Sequence, residues 1–310
     1  MDFEEVPDIK KAEQITDGES AIVTLAEAAR LLEASRNGSD YFPMGFDLFS
    51  EIMGGGITEG DLVVISGKSG HGKTTFAQTL SYHLAGPKVA VPQLWFSYEM
   101  QVTEIWKKFR DMGVNEEFLG FCPLKLKSSN VEWIEQKITE GILKFNTKIV
   151  FIDHLGFLSP RVNSSNAMDF ERNFSAYLGQ LVRQLKTLAR EKRIIIFLLA
   201  HVRKTKEELD IDDLAHSVGI AQEADFVFMV ERERVKPLTS RQQLQNQSAP
   251  SIFSAEGDVF TKYSKVFLVK NRRTGINKFI KCQMANGRLT EVVQSNGSEL
   301  TEQNRETIIG

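Results

Sequence analysis

Residues 67–74 read Gly-Lys-Ser-Gly-His-Gly-Lys-Thr, an instance of the pattern G-x-x-x-x-G-K-[ST]. The run Leu62–Ile65 ahead of it is apolar and strand-like, and Thr75–Ala85 behind it has the character of a helix. A glycine-rich turn in this setting constrains the fold strongly, because a strand tip and a helix N-terminus must meet around it. Gly67, Gly70 and Gly72 let successive backbone N–H groups face one point, and the helix end adds partial positive charge. Lys73 is placed to reach β- and γ-phosphates, and the Thr74 hydroxyl to hold Mg²⁺. The stretch Gly67, Lys68, Ser69, Gly70, His71, Gly72, Lys73, Thr74 and Thr75 is therefore expected to bind a nucleoside triphosphate.

Composition sets the background. The 310 residues can bury a large core as one large or two modest domains, and 25% charged with 42% hydrophobic residues is ordinary for a soluble chain. Two cysteines, Cys122 and Cys282, form no disulfide framework and no metal-ligand spacing, which suits a reducing compartment. The apolar run Ile194–Ala200 is too short to span a membrane, and the acidic start Met-Asp-Phe-Glu-Glu is not a secretory leader. A cytoplasmic protein with no membrane partner is expected. Net charge is −3, but residues 1–40 carry ten acids and four bases, a net −6 that leaves +3 elsewhere. Any nucleic-acid site must then be a few local loops rather than a broad basic patch.

Three regions follow from the pattern along the chain. Residues 1–40 are an acidic N-terminal segment, disordered over 1–20, with an amphipathic helix at about 21–35 whose Ile22, Leu25, Ala29 and Leu32 share a face. That helix can cover its own core edge or dock on a neighbouring subunit. Residues 41–293 alternate strands (Leu62–Ser66, Leu94–Tyr98, Lys148–Asp153, Ile194–Ala200, Phe226–Val230) with helices (Thr75–Ala85, Thr103–Met112, Val131–Lys144, Phe174–Lys192). This predicts an α/β fold, a mostly parallel twisted sheet with helices on both faces. After a polar loop at 236–258, Lys265–Lys270 and Asn277–Gln283 read as a C-terminal β-hairpin turning at Gly275. Residues 294–310 are a flexible tail.

The strand tips supply the polar groups. Lys148–Asp153 is an apolar strand ending in a carboxylate, fit to hold Mg²⁺ beside the γ-phosphate. Glu99 ends the strand after the loop's helix, one strand tip from the γ-phosphate, where it can orient and deprotonate water. His201 follows the run Leu198-Leu-Ala; position alone leaves a phosphate sensor and an ordinary strand-end histidine equally open. Lys270-Asn-Arg272-Arg273 is either a solvated basic face or a source of a guanidinium for the transferring phosphoryl group.

Over about residues 41–293 the chain resembles the RecA-like ATPase domain of the DnaB-type replicative ring helicases, a P-loop NTPase fold. The lead-in Pro43–Gly56 with Glu59–Ser66, then Phe96-Ser-Tyr-Glu-Met100 and Phe151-Ile-Asp-His-Leu155, are similar to the family's motifs. The resemblance implies ATP with Mg²⁺, Glu99 as catalytic base, Thr74 and Asp153 on the metal and His201 as sensor, in place of the usual Gln. Val269-Lys-Asn-Arg-Arg-Thr-Gly275 is similar to the family's Lys-x-Arg, which implies that Lys270 and Arg272 reach an adjacent subunit's nucleotide, Arg272 as arginine finger. Asp213–Asp225 is similar to a DNA-binding loop, matching at Ser217, Ile220, Gln222, Ala224 and Asp225 and departing at Ala215, His216 and Val218. Arg203, Lys204 and Lys206 can compensate with phosphate contacts, so Arg203, Lys204, Lys206, Ser217 and Gln222 are the DNA-binding candidates. The usual N-terminal collar is missing from the sequence, so primase docking is not predicted.

The resemblance implies an ATP-dependent 5′-to-3′ DNA helicase or translocase for DNA replication, a homo-hexamer on single-stranded DNA with channel loops at about 160–172 and 203–222. The alternative is a RecA-like recombinase or clock-type ATPase that binds DNA or a protein partner without unwinding.

Overall fold

The computed structural model describes residues 23–34, 41–158, 167–201, 218–234 and 260–292. The expectations for residues 1–20, 236–258 and 294–310 lie outside these. Residues 1–40 and 41–310 form two units. In the first, helix α1 spans Leu25–Ala34, opened by Thr24 Oγ1 accepting the Glu27 N–H at 3.2 Å. Leu25 lies exposed to solvent.

The second unit is built on strands β1 (Leu62–Gly67), β2 (Gln93–Ser97), β3 (Gly120–Phe121), β4 (Ile149–Asp153), β5 (Ile195–His201) and β6 (Phe226–Arg234). Strands β7 (Phe260–Asn271), β8 (Lys278–Ala285) and β9 (Arg288–Glu291) complete a nine-stranded sheet in the order β3-β2-β4-β5-β1-β6-β7-β8-β9. From β3 to β6 all pairs are parallel, and from β6 onward they are antiparallel. Every residue of β1, β2 and β4 is buried, as a sheet covered on both faces requires.

The helices are α2 (Asp47–Ile52), α3 (Lys73–Ala85), α4 (Val102–Asp111), α5 (Val131–Phe145), α6 (Ala167–Glu191) and α7 (Val218–Glu223). On one face Phe76, Leu80 and Leu84 of α3 and Ile105 and Phe109 of α4 pack with Phe46, Phe49 and Phe228. On the other, Ile134 and Ile138 of α5 and Leu181, Val182 and Leu185 of α6 cover Val64, Ile152 and Leu198. The predicted strands and helices are all present within a few residues, α6 beginning earlier than the predicted Phe174. Helices α2 and α7 and strands β3 and β9 are not among the predicted elements, being short or, for β9, interrupted by polar residues; α7 falls in the stretch read as a loop. Among the described residues no helix is long and apolar enough to cross a membrane.

The C-terminal hairpin is bolted to the lead-in of the sheet. Asn271 Nδ2 and Thr274 Oγ1 both donate to the Ile52 carbonyl, at 2.9 and 2.6 Å. Arg273 points inward: it donates to the Met53 and Gly56 carbonyls and to Asp61 Oδ2, and its guanidinium lies 4.9 Å from the Tyr41 ring centroid and 5.0 Å from that of Phe226. Of the basic cluster read in the sequence, Arg273 is thus a structural clamp.

Candidate active site

The loop between β1 and α3 takes the shape its glycines predict. Gly67, Gly70 and Gly72 have φ of 148°, 76° and 98°. At Gly67 a Cβ would lie 2.4 Å from the Val230 carbonyl oxygen, so the close approach of β6 alone requires glycine there. Lys73 Nζ folds back to donate to the carbonyls of Gly67 at 3.0 Å and Lys68 at 3.1 Å. Burial brings its ammonium down to about 8, against the opposing pull of Glu99 and Asp153. This is an ammonium held over a turn of backbone donors, the arrangement that receives phosphate oxygens.

The His71 side chain does not point along the loop's backbone donors but engages β6 and β7. Its ring is buried and turned away, with Nδ1 accepting the Arg232 N–H at 3.2 Å and its edge against Phe260, centroids 5.3 Å apart. Burial, with Lys68 and Arg234 nearby, holds it down to about 4. The side chain therefore fixes the loop to β6 and β7, a neutral strut rather than an anion ligand.

On the cation side, Thr74 Oγ1 donates to Asp153 Oδ2 at 3.0 Å. The residues α3 and β4 bring together are hard oxygen donors, which fit Mg²⁺. Asp153 is 1% exposed. Burial pushes its carboxyl up to about 6, the Thr74 hydrogen bond opposing and the Glu99 charge adding to the rise. An acid held so far from its solvent preference is expected where a cation completes the site.

Glu99 needs one correction. Its strand, β2, is not beside β1; β4 and β5 lie between them. Strands β2 and β4 stop two residues short of the level at which β5 and β1 end, and Glu99, two residues past β2, reaches the same cluster across the tips. The turn is fixed by Ser97, whose Oγ donates to the Met100 carbonyl at 3.0 Å and accepts the Met100 N–H at 3.3 Å. Tyr98 N–H donates to the Asp153 carbonyl at 2.7 Å, tying the tips of β2 and β4. Glu99 Oε2 lies 3.9 Å from Nε2 of His201, and ligating atoms of Glu99, His154 and His201 all lie within 4.8 Å of one another.

His154 joins this cluster too, though the Phe151–Leu155 motif alone assigns it no role. The only available signal was its place directly after Asp153. Its ring stands edge-on to His201 with centroids 4.2 Å apart, and Nδ1 accepts the Gly156 N–H at 3.0 Å. Burial, then His201, takes His154 to about 4, and burial lowers His201 as well. Burial thus disfavours the charged form of both rings beside Glu99, and the cation that faces the Glu99 carboxylate is Lys73.

Lys270 and Arg272 lie elsewhere. Asn271 pairs with Phe226, the first residue of β6, and Phe226 pairs with Val63 near the start of β1. Arg272 is thus about five strand residues, roughly 16 Å, from the end of β1 that carries its own phosphate loop. Arg272 donates to Asp225 Oδ1 at 3.3 Å and to the Gln222 carbonyl, which also accepts from Lys270 Nζ at 3.1 Å. The guanidinium is about half exposed. Of the DNA-binding candidates, Gln222 sits exposed on α7 beside this basic pair. Arg203, Lys204, Lys206 and Ser217, with the departures at 215 and 216 and residues 203–217 of the channel loop expected at about 203–222, lie outside the described residues, as do residues 160–166 of the loop expected at about 160–172.

Comparison with known proteins adds three findings. A family model described as an AAA domain matches residues 49–207. A probable replicative DNA helicase of Trieres chinensis is 26% identical over 211 residues, 58% of this chain and 45% of that protein. The replicative DNA helicase DnaB of Buchnera aphidicola is 24% identical over 257 residues, 73% and 53% of the two chains. The DNA repair protein RadA of Bacillus subtilis is 28% identical over 158 residues, 50% and 31% of the two chains. The chain thus spans about a third to a half of the length of these relatives. Among solved structures, one described as an ATPase domain has a TM-score of 0.62 at 16% identity, covering 93% of this chain and 100% of that one. A DnaB-like replicative helicase gives 0.63 at 17% identity, covering 92% and 71%.

Proposed function

Since the chain belongs to the AAA-domain family, with a RecA-like ATPase domain of the DnaB type, we propose that it is a cytoplasmic, Mg²⁺-dependent ATP hydrolase. In this proposal it works in a ring, a homo-hexamer, and converts hydrolysis into 5′-to-3′ movement on single-stranded DNA in replication. The observation that carries the reading is the separation of Arg272 from its own phosphate loop. A subunit holds Lys73, Thr74, Asp153 and Glu99 at one end of its sheet and offers Arg272 and Lys270 at the other. A complete site then needs two subunits, with one supplying the loop and the next supplying the guanidinium.

The chemistry follows from the positions. Lys73 leaves the Gly67 and Lys68 carbonyls for the β- and γ-phosphate oxygens, and the loop N–H groups hold the rest of the phosphate chain. Thr74 and Asp153 would hold Mg²⁺, which would supply positive charge against the phosphates. Glu99 orients a water and accepts its proton as the water oxygen attacks the γ-phosphorus. The bond from phosphorus to the β–γ bridging oxygen breaks, giving ADP and phosphate. The neighbour's Arg272 meets charge that grows on the phosphoryl oxygens in the transition state, and His201, 3.9 Å from Glu99, can register whether the γ-phosphate is present.

The test is ATP turnover with and without single-stranded DNA, alongside strand displacement on a forked duplex. Stimulated turnover with displacement supports the proposal; turnover indifferent to DNA and no displacement sinks it. A second reading, a RecA-like ATPase that binds DNA or a partner without unwinding, is favoured by the RadA relative's 28% identity. Strand displacement on the forked duplex separates the two, since only the first reading unwinds DNA.

A further inference from the structure

Resting on the reading of Arg272 as a finger offered to a neighbour, we propose that Asp225 is its positioning residue. The carboxylate is buried, with its side chain 11% exposed. Oδ2 accepts the Leu62 N–H at 2.8 Å and Lys186 Nζ from α6, while Oδ1 accepts from Arg272. The backbone repeats the link in both directions: Asp225 N–H donates to the Leu62 carbonyl at 2.9 Å, and Arg272 N–H donates to the Asp225 carbonyl at 2.9 Å. One acid therefore joins the first residue of β1, the helix α6 and the arginine.

The geometry does more than hold a fold together. A lone arginine at a hairpin end has many rotamers, and a finger that must meet a developing charge loses rate with each one it samples. Asp225 removes that freedom with a charge-assisted bond on one nitrogen, while the Gln222 carbonyl at the end of α7 takes the other. The α7 end is itself fixed, since Ile220 and Ala224 are buried in the core under α6 and Arg183 pairs with Glu223 at 2.9 Å. Because Asp225 also grips Leu62, the finger is referenced to β1, the strand that ends in the subunit's own phosphate loop. The position at which a subunit presents Arg272 is thereby set by the same strand that positions its own nucleotide site. Lys186, which also donates to the Gly60 carbonyl, neutralises the second half of the carboxylate, so the acid is not left as a net anion competing for the guanidinium.

Subunit mixing tests the proposal. Asp225→Asn keeps the shape and an acceptor for Leu62 while removing the charge that orients Arg272. Alone, it is expected to lower kcat ten- to a hundredfold with little change in KM for ATP. Mixed with Glu99→Gln, which has a dead site but an intact finger, it is expected to regain turnover, because its own pocket is sound. In an Arg272→Ala background, Asp225→Asn is expected to lower kcat no further. Absence of rescue by Glu99→Gln, or a further loss in the Arg272→Ala background, overturns the role of Asp225. The control pair Arg272→Ala plus Glu99→Gln reports on the underlying reading: if that pair also fails to recover, the shared site itself is wrong. Should Asp225→Asn not fold, Asp225→Glu, which keeps the charge but displaces it, is held to the same rescue and non-additivity.

Discussion

The Thr74 hydroxyl donates to Asp153 Oδ2 at 3.0 Å, so the two oxygens expected to share one cation already touch. The carboxyl beneath that contact is pushed up to about 6 by burial. Because Mg²⁺ needs the ionised form, its apparent affinity is expected to fall as pH drops through about 6, by up to tenfold per unit below it. Titrating Mg²⁺ against turnover at pH 5 to 8 measures this.

The same shift carries a stability cost. A carboxyl whose folded value is raised favours the folded state when protonated, so stability falls as pH rises from about 4 to about 6 and levels above. Asp153→Asn is expected to remove that slope and to stabilise the metal-free protein at pH 7 by about 2–3 kcal/mol while abolishing turnover. Denaturation at pH 4 and pH 7 in the presence of a chelator checks both halves.

Lys73, brought down to about 8 by burial, gives the opposite pH limb. Phosphate binding needs the ammonium, so KM for ATP is expected to rise as pH increases through 8 with kcat less affected. A KM flat to pH 10 would contradict it.

The two neighbouring arginines are expected to part company. Arg273→Ala removes bonds to Met53, Gly56 and Asp61 and leaves that buried acid with the Thr58 N–H but without its cation, for a loss of about 3–5 kcal/mol. Arg272→Ala, at a half-exposed guanidinium, is expected to change stability by less than about 1 kcal/mol and to lower kcat by about a thousandfold. Urea melts beside turnover measurements separate the two.

Gln78 on α3 is fully buried, and neither its Nε2 nor its Oε1 has a partner among the described residues. Gln78→Met keeps the volume and removes the unpaired amide, with an expected gain of about 1–3 kcal/mol and unchanged ATP turnover. Thermal melts report the gain.

The local geometry was legible in the sequence because each part is a short motif on one strand or turn. Gly67–Thr74 needs only its neighbours to form, and Asp153 needs only an apolar strand ahead of it. Glu99 was found for the same reason, but its neighbours were not, since β4 and β5 come later in the chain and insert between β2 and β1. Asp225 was read as one match in a DNA-binding loop, yet it works through Leu62, Lys186 and Arg272, partners 163, 39 and 47 residues away. Similarly, nothing in Arg272-Arg273 marks which side chain turns inward. Only the closure of the hairpin against the Ile52–Gly56 segment decides that. His71 sits inside the loop motif but serves the β6–β7 end, a contact that no spacing encodes.

The central claim is that a site is completed by the neighbour's Arg272, and one mixing experiment addresses it most directly. Arg272→Ala and Glu99→Gln are each expected to be nearly inactive. Combined in equal amounts and allowed to exchange subunits, they are expected to regain turnover at the roughly one interface in four that pairs an intact pocket with an intact finger. A mixture no more active than its two components would contradict the account.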